Sequence, residues 1–357
     1  MKLAPSAPHT HSGNAVSNVM LTVILALMPA TLLGLYAFGF PALNTLVITI
    51  VSSLLAEAIS LYFADKPIMP ALLDGSAFLT GLLLAMSLPP WAPWWISALG
   101  GFFGIIIGKH IFGGLGQNIF NPAMLARVCL LISFPLEMTT WVPYKPFFSE
   151  QSPGFLESLK ITFVGIPNFD AMTSATIMGH VRTELTVHHG VSSALASGHY
   201  DLFNTIIGTT GGSLGETSTL LVVLGGLYII YKRIISWHIP VTMIATILIL
   251  ASIFHFIDSD RFASPLFHIF SGGYMLGAFF IATDLVTSPN TKPGQIIFAV
   301  GLAVLVFVIR TWGGYPEGMG FAVLLMNALT PLIDHYIKPR IYGRDRKGNP
   351  LPAPERE

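Results

Sequence analysis

Apolar residues along this chain gather into stretches of membrane length, so the unit to count is the span rather than the soluble domain. A helix rises about 1.5 Å per residue through about 30 Å of hydrocarbon, so a span needs about 20 mostly apolar residues. Four stretches, beginning near Met20, Leu43, Trp94 and Ile239, meet that length with few or no charges. Three more, Leu220 to Ile235, Gln295 to Ile309 and Gly318 to Ile333, are slightly short but dominated by Leu, Ile, Val and Phe. The last three, Gly75 to Leu88, Pro122 to Phe134 and Phe267 to Ala282, are short, glycine-bearing or bounded by prolines, which predicts broken or re-entrant helices.

A long connection, roughly Pro135 to Glu216, splits these ten stretches five and five. An odd number of crossings on each side of it orients the two halves oppositely. The expected architecture is an all-α polytopic membrane protein of about ten transmembrane helices in two inverted five-helix halves, with broken or re-entrant helices and a long periplasmic loop. Its expected segments are an N-terminal cytoplasmic stretch (1–18), a first half (19–134), the loop (135–218), a second half (219–335) and a basic cytoplasmic tail (336–357). A faint internal echo accompanies this: Gly113-Gly114 recurs as Gly313-Gly314 and Pro89-Pro90 is answered by Pro289. Two matches arise by chance as readily as by duplication.

Composition agrees with a membrane setting. The 357 residues are 53% hydrophobic and 10% charged, where a soluble domain carries about 25% charged residues. Eighteen basic side chains balance eighteen acidic ones, which leaves no positive excess to neutralise a nucleic-acid backbone. The single cysteine, Cys129, excludes an internal disulfide or a cysteine-built metal cluster, and reads as a small packing residue. The residues up to Val19 are polar, so no cleavable signal peptide is expected and the amino end is expected inside. Lysines and arginines agree: Lys2, Lys66, Lys109, Lys232, Arg233, Lys292, Lys338, Arg340, Arg344, Arg346, Lys347 and Arg356 fall on the predicted inner side. Only Arg261 and Arg310 fall in short outer loops. Both termini are therefore expected in the cytoplasm, and the resemblance described below implies that the membrane is a bacterial inner membrane.

Ionisable groups at membrane depth are functional candidates, because an uncompensated charge there costs several kcal/mol. Glu57 and Arg127 lie inside predicted spans, whereas Asp74, Lys109, Asp284 and Asp334 fall near span ends, where charge is easily solvated. Glu57, with Asp74, is a candidate for a cation or proton route; pairing with neighbours is the structural alternative. The glycine-rich Gly113–Gly116 stretch fits no nucleotide-binding fingerprint and reads as a close backbone approach, with Asn118 and Asn121 satisfying freed peptide groups. His180, His188, His189 and His199 lack zinc-site spacing, so no metal is expected. Trp91, Trp94 and Trp95 read as interfacial anchors at the outer boundary.

The long loop contains Asp170-Ala171-Met172-Thr173-Ser174-Ala175-Thr176, a run of small and hydroxylated residues. Read by itself it is a helix cap or turn, or an attachment site in which an exposed threonine hydroxyl is joined to a phosphate. The pattern Asp-x-x-Thr-Ser-Ala-Thr resembles the flavinylation motif of the ion-translocating Rnf and sodium-translocating NADH:quinone oxidoreductase families, with Ser174 where glycine is usual. Further stretches resemble the RnfD family of Rnf-complex membrane proteins: Asp74–Ala77 with Thr80–Leu84, Gly108–Asn118, Phe120–Met124, Gly211–Thr217, Ala282–Asp284 with Thr287–Pro289, and Gly313–Gly318. The likeness runs from about His9 to Gly343.

The resemblance implies FMN carried covalently on Thr176 through a phosphoester, with Asp170, Thr173, Ser174 and Ala175 completing the motif read by a flavin transferase. The related quinone-reducing family holds a non-covalent riboflavin in the equivalent subunit, and the resemblance extends that expectation here. It further implies a translocase subunit that is not catalytic alone and that couples electron transfer to movement of Na+ or H+. The partners implied are a ferredoxin-like iron-sulfur subunit, an NADH-handling subunit, a periplasmic FMN subunit and two small membrane subunits. The competing readings are a solute channel or transporter of inverted-repeat architecture without a redox cofactor, and a purely structural scaffold.

Overall fold

The structure, a computed structural model, describes residues 15–149, 152–165, 176–187, 190–197, 201–339 and 343. Each of the apolar stretches is helical. The chain begins with α1 (Val16–Phe63), the short α2 (Ile68–Leu72), α3 (Ser76–Ser87), α4 (Trp94–Ile105), which runs into a π-helical turn (Ile106–His110), and α5 (Pro122–Ser133). The connecting region holds α6 (Pro135–Thr139), α7 (Phe155–Phe163), α8 (Ile177–Thr186), α9 (Val191–Ser197) and α10 (Leu202–Ile207). Then come α11 (Thr219–Tyr231), α12 (His238–Ile257), α13 (Pro265–Phe270), α14 (Tyr274–Leu276) with a second π-helical turn (Gly277–Ile281), α15 (Lys292–Trp312) and α16 (Met319–Tyr336). Among the described residues, α1, α12 and α15 are long and apolar enough to cross a membrane, and α3, α5 and α11 are shorter apolar helices. The chain is a multi-pass membrane protein.

The 48 residues of α1 cover two of the expected stretches, and the division between them is a kink at Gly39, where φ is 72°. That left-handed backbone suits glycine, and Pro41 two positions on has no N–H to return to the helix. The carbonyls just before the kink therefore lose their helical donors. They are picked up from outside: Phe147 N donates to Tyr36 O at 2.7 Å and Lys145 N to Ala37 O at 3.0 Å. The Trp91 indole donates to Phe38 O at 3.0 Å. Trp91 is 2% exposed, so it is not the boundary anchor expected from the sequence; its neighbour Trp94, 43% exposed, keeps that character. Lys145 also lies over the Trp91 ring, 5.4 Å from its centre. On the other arm, Asn44 donates to Thr162 Oγ1 at 3.1 Å, which seats α7 on α1.

The short stretches behave as their composition predicts. α3 and α5 are 12 residues each. The Asp74 carboxylate accepts from Ser76 N at 2.7 Å at the start of α3. Asn121 caps α5 by accepting from Met124 N at 3.2 Å, with Pro122 at the first helical position. The Phe267–Ala282 stretch is broken at Ser271-Gly272-Gly273, between α13 and α14. The groups freed there are satisfied from the end of α15 and the loop after it: Arg310 donates to His268 O at 2.5 Å and to Ser271 O at 3.1 Å. Glu317 accepts from Gly273 N at 3.3 Å.

Small residues set the packing, as expected where lipid gives helices no hydrophobic reason to associate. A side chain at Gly225 of α11 would run into Ala26 O of α1, and one at Gly101 of α4 into Ser52 on the second arm of α1. Gly320 of α16 lies against Val128 of α5. In the half after the connection, α12 packs on α15 and on α13. Tyr274, fully buried, donates to Met243 O at 2.8 Å and ties α14 to α12.

The bond from Trp91 generates a test. Trp91→Phe strips the buried Phe38 carbonyl of its donor and is expected to cost about 1–3 kcal/mol. Thermal unfolding of the detergent-solubilised chain should register a lower midpoint for Trp91→Phe and almost no change for Trp94→Phe.

Candidate functional site

Two cavities receive the chain's polar and glycine-rich stretches, and they lie at opposite ends of α5. The first, about 760 Å3, is lined by Arg127 and Leu131 of α5, by Thr176 to Met178 at the start of α8, and by Trp141. Gly211 and Glu216, the Ser271-Gly272 break, and Tyr315 to Glu317 complete it. The second, about 810 Å3, is lined by Pro122 and Ala123 of α5, Ser76 and Thr80 of α3, Lys109, Asn118, Asn121 and Thr283 to Val286.

Thr176 stands at the N-cap of α8, with its hydroxyl accepting from Gly179 N at 3.1 Å. The cap reading of the Asp170–Thr176 run is thus realised at its last residue. Asp170, Thr173, Ser174 and Ala175, like His188, His189 and His199, lie outside the described residues. α8 rests on the bundle through Met178 and Val181, which form one apolar cluster with Ala263 and Phe267.

Below Thr176 the first cavity is charged. Arg127, inside α5, donates to Ser87 O at 2.6 Å and lines the cavity. Arg310 is 6% exposed and makes a two-pronged contact with Glu317, Nη2 lying 2.9 and 3.2 Å from the two carboxylate oxygens. The sequence pattern places Arg310 in a short outer loop; α15 runs on to Trp312, so the residue sits in the last helical turn and faces inward. Burial and the Glu317 carboxylate push the Glu216 carboxyl above the usual range, partly offset by Arg127. The cavity therefore offers a cation, an easily protonated carboxyl and aromatic walls beside a hydroxyl.

The second cavity is bordered by a buried ionic cluster. Glu57 of α1 is 2% exposed and so is Lys109, whose Nζ lies 2.8 Å from Glu57 Oε1 and 2.8 Å from Ser76 Oγ. His110 Nε2 lies 2.9 Å from the other carboxylate oxygen. Consecutive residues of an α-helix point about 100° apart, and the π-helical turn over Ile106–His110 brings Lys109 and His110 to one carboxylate. Lys109 is thus not the solvated span-end charge that its place in the sequence suggests. Asp74, by contrast, accepts from Ser76 N at the start of α3 and is not among the residues lining the second cavity. Asp284 accepts from Asn121 Nδ2 at 3.3 Å and from Thr287 Oγ1 at 3.2 Å. Asn118 Oδ1 is buried without a hydrogen-bond partner among the described residues.

In the sequence, Glu216 and Glu317 stand out only as parts of glycine-rich motifs, and nothing there gives a role to Arg182. The signal for the two glutamates is their place beside Gly215 and Gly318, at turns the fold uses to line a cavity.

Residues 3–343 match the family described as NQR2, RnfD, RnfE. The chain is 52% identical over 346 residues to the D-type member of the ion-translocating oxidoreductase complex of Halorhodospira halophila, covering 97% of each chain. It is 53% identical over 340 residues to the protein of the same description in Stutzerimonas stutzeri, covering 95% of this chain and 96% of that one. A Clostridium ljungdahlii protein, the D-type member of a proton-translocating ferredoxin:NAD(+) oxidoreductase complex, is 44% identical over 344 residues, with 96% of each covered. With nearly its whole length matched, this chain belongs to the NQR2, RnfD, RnfE family.

Proposed function

We propose that this chain is the RnfD-type membrane component of an ion-translocating oxidoreductase complex, and that it carries FMN esterified to Thr176. The observation that carries the reading is the position of Thr176: the last residue of the flavinylation-like run is the N-cap of α8 and stands on the rim of the Arg127–Glu216–Glu317 cavity. The residues fit the group. An ester oxygen on Thr176 keeps a lone pair for Gly179 N, and a phosphate there meets the positive end of a helix. Trp141 and Tyr315 in the cavity wall offer flat aromatic faces to a planar ring system.

When bound, the flavin supplies one- and two-electron chemistry at its ring. The chain's part is to hold and tune it. Arg127 presents positive charge to the cavity, and Glu216 holds a proton on its carboxyl more readily than a solvated glutamate does. The electron source and sink lie in partner subunits: a ferredoxin-like iron-sulfur subunit, an NADH-handling subunit, a periplasmic FMN subunit and two small membrane subunits.

In the same reading, the helices form two inverted halves of five, with Thr176 on the periplasmic side of a bacterial inner membrane and both termini in the cytoplasm. The packing is of the kind a repeat produces: the first arm of α1 lies on α11 and α5 lies on α16, the first and last helices of each half meeting their counterparts. The second cavity suits a non-covalent riboflavin. The Lys109 ammonium and the Asn118 Oδ1, which has no partner among the described residues, offer the donor and the acceptor that the imide edge of a flavin requires. Glu57, with Lys109 and His110, is the proposed cation or proton site on that side.

Intact-mass measurement of the chain made in its native host, together with in-gel flavin fluorescence after denaturing electrophoresis, tests the main claim. Wild type should carry one FMN-phosphoester mass, Thr176→Ala none, and Thr176→Ser should retain it. A bare Thr176 in the wild type would remove the electron-carrier reading and favour a pore. For the buried cluster, Lys109→Met leaves the buried Glu57 carboxylate with His110 alone and is expected to cost about 3 kcal/mol in thermal unfolding. Adding Glu57→Gln to it should recover most of that loss. In reconstituted vesicles Glu57→Gln should lower the charge moved per electron; an unchanged ratio takes Glu57 out of the route.

A further inference from the structure

Thr176 begins a helix whose far side holds a second, separate contact with the bundle. Arg182, in α8, reaches across to the carboxyl end of α15, donating from Nη1 to Thr311 O at 2.9 Å and to Arg310 O at 3.2 Å, and from Nη2 to Gly313 O. The last carbonyls of a helix have no intrahelical donors, and they form the negative end of its dipole. Arginine is the side chain suited to them, because its planar fork serves several acceptors at once and its charge is permanent.

The clamp bears on the cavity through the turn it grips. Arg310, whose carbonyl Arg182 holds, sends its own guanidinium to His268 O, Ser271 O and Glu317, and both Ser271 and Glu317 line the cavity beneath Thr176. One guanidinium thus fixes α8 to the same helical turn that builds the cavity floor. α8 is also seated by an apolar cluster that includes Met178, Val181, Ala263 and Phe267. Apolar contact of that kind holds a helix down without fixing its rotation or its slide along the surface, which directional bonds to three carbonyls do.

We propose that Arg182 is the positioning residue that sets Thr176, and whatever is esterified to it, over the cavity. The proposal rests on the reading of Thr176 as the flavin carrier. Arg182 touches no reacting atom; it acts by fixing the helix on which the tether is built.

The test uses the intact complex from the native host, with Arg182→Gln and Arg182→Lys beside Thr183→Ala, an exposed neighbour on the same helix. Three quantities are read: the adduct mass on this chain, the fluorescence anisotropy of its flavin after subtraction of the signal left by Thr176→Ala, and the electron-transfer rate. Arg182→Gln should keep the adduct, lower the anisotropy and slow transfer about tenfold or more, since small misplacements are costly in rate. Arg182→Lys should fall between, and Thr183→Ala should match wild type. A role in stability alone would lower the unfolding midpoint and leave anisotropy and rate of the assembled complex unchanged, and that result overturns the proposal. If Arg182→Gln does not assemble, an assembled, flavinylated Arg182→Lys complex with wild-type anisotropy and rate overturns it equally. A wild-type chain with no adduct strikes instead at the assignment of Thr176, and the mass alone distinguishes that outcome.

Discussion

A helix that stops or kinks inside a membrane protein leaves carbonyls with no water to turn to, and this chain answers that constraint with donors from other segments. At the Gly39 kink the donors are Phe147 N, Lys145 N and the Trp91 indole. At the 271–273 break they come from Arg310. At the carboxyl end of α15 they come from Arg182. Two of these three sites draw on the connection between α5 and α11, so the backbone polarity left over by the membrane helices is what anchors that connection to them. Thr176 lies within it. The segment that bears the candidate tether is held by the same bonds that make the broken helices tolerable.

Buried charge follows the same logic. Glu57 has Lys109 and His110 on its two oxygens, and Arg310 divides its donors between carbonyls and Glu317. Such groups contribute little to stability when complete and destabilise severely when broken, because desolvation cancels most of the Coulombic gain. Each stands beside a cavity, Lys109 lining the second and Glu317 the first. In the first cavity Arg127 adds positive charge beside the Glu216 carboxyl.

The apolar runs make most of the helices legible, and even the interruptions are visible where glycine and proline punctuate them, as at Pro122 and at Ser271-Gly272-Gly273. Depth is not legible. Lys109 reads as a loop lysine because it follows the apolar Ile105–Gly108 run and precedes a glycine-rich one; only the π-helical turn carries it inward to Glu57. Arg310 reads as a loop arginine because the apolar run ends at Ile309, yet the helix continues for three more residues. Trp91 reads as an interfacial anchor because it sits with Trp94 and Trp95 at the end of an apolar stretch, whereas the kink in α1 gives its indole a carbonyl to serve. In each case the deciding partner is remote in sequence, so no local pattern carries the information. Thr176 is legible as a cap and as a candidate tether because both depend on its immediate neighbours.

The short helices give the two cavities their relation. α5 has 12 residues, about 18 Å of rise, against a hydrocarbon core of about 30 Å. α3, also 12 residues, and α11, with 13, are similarly short. Helices of that length leave room at both ends, and the cavities occupy those ends: Arg127 and Leu131 face one, Pro122 and Ala123 the other. Along α5 the two cavities thus approach to about one helical turn, the step from Ala123 to Arg127. The residues of α5 in that step are apolar, with Met124 and Ala126 buried. For the flavin-carrying reading proposed above, such a step is short enough, because electron transfer between two carriers depends on their proximity and needs no continuous polar path.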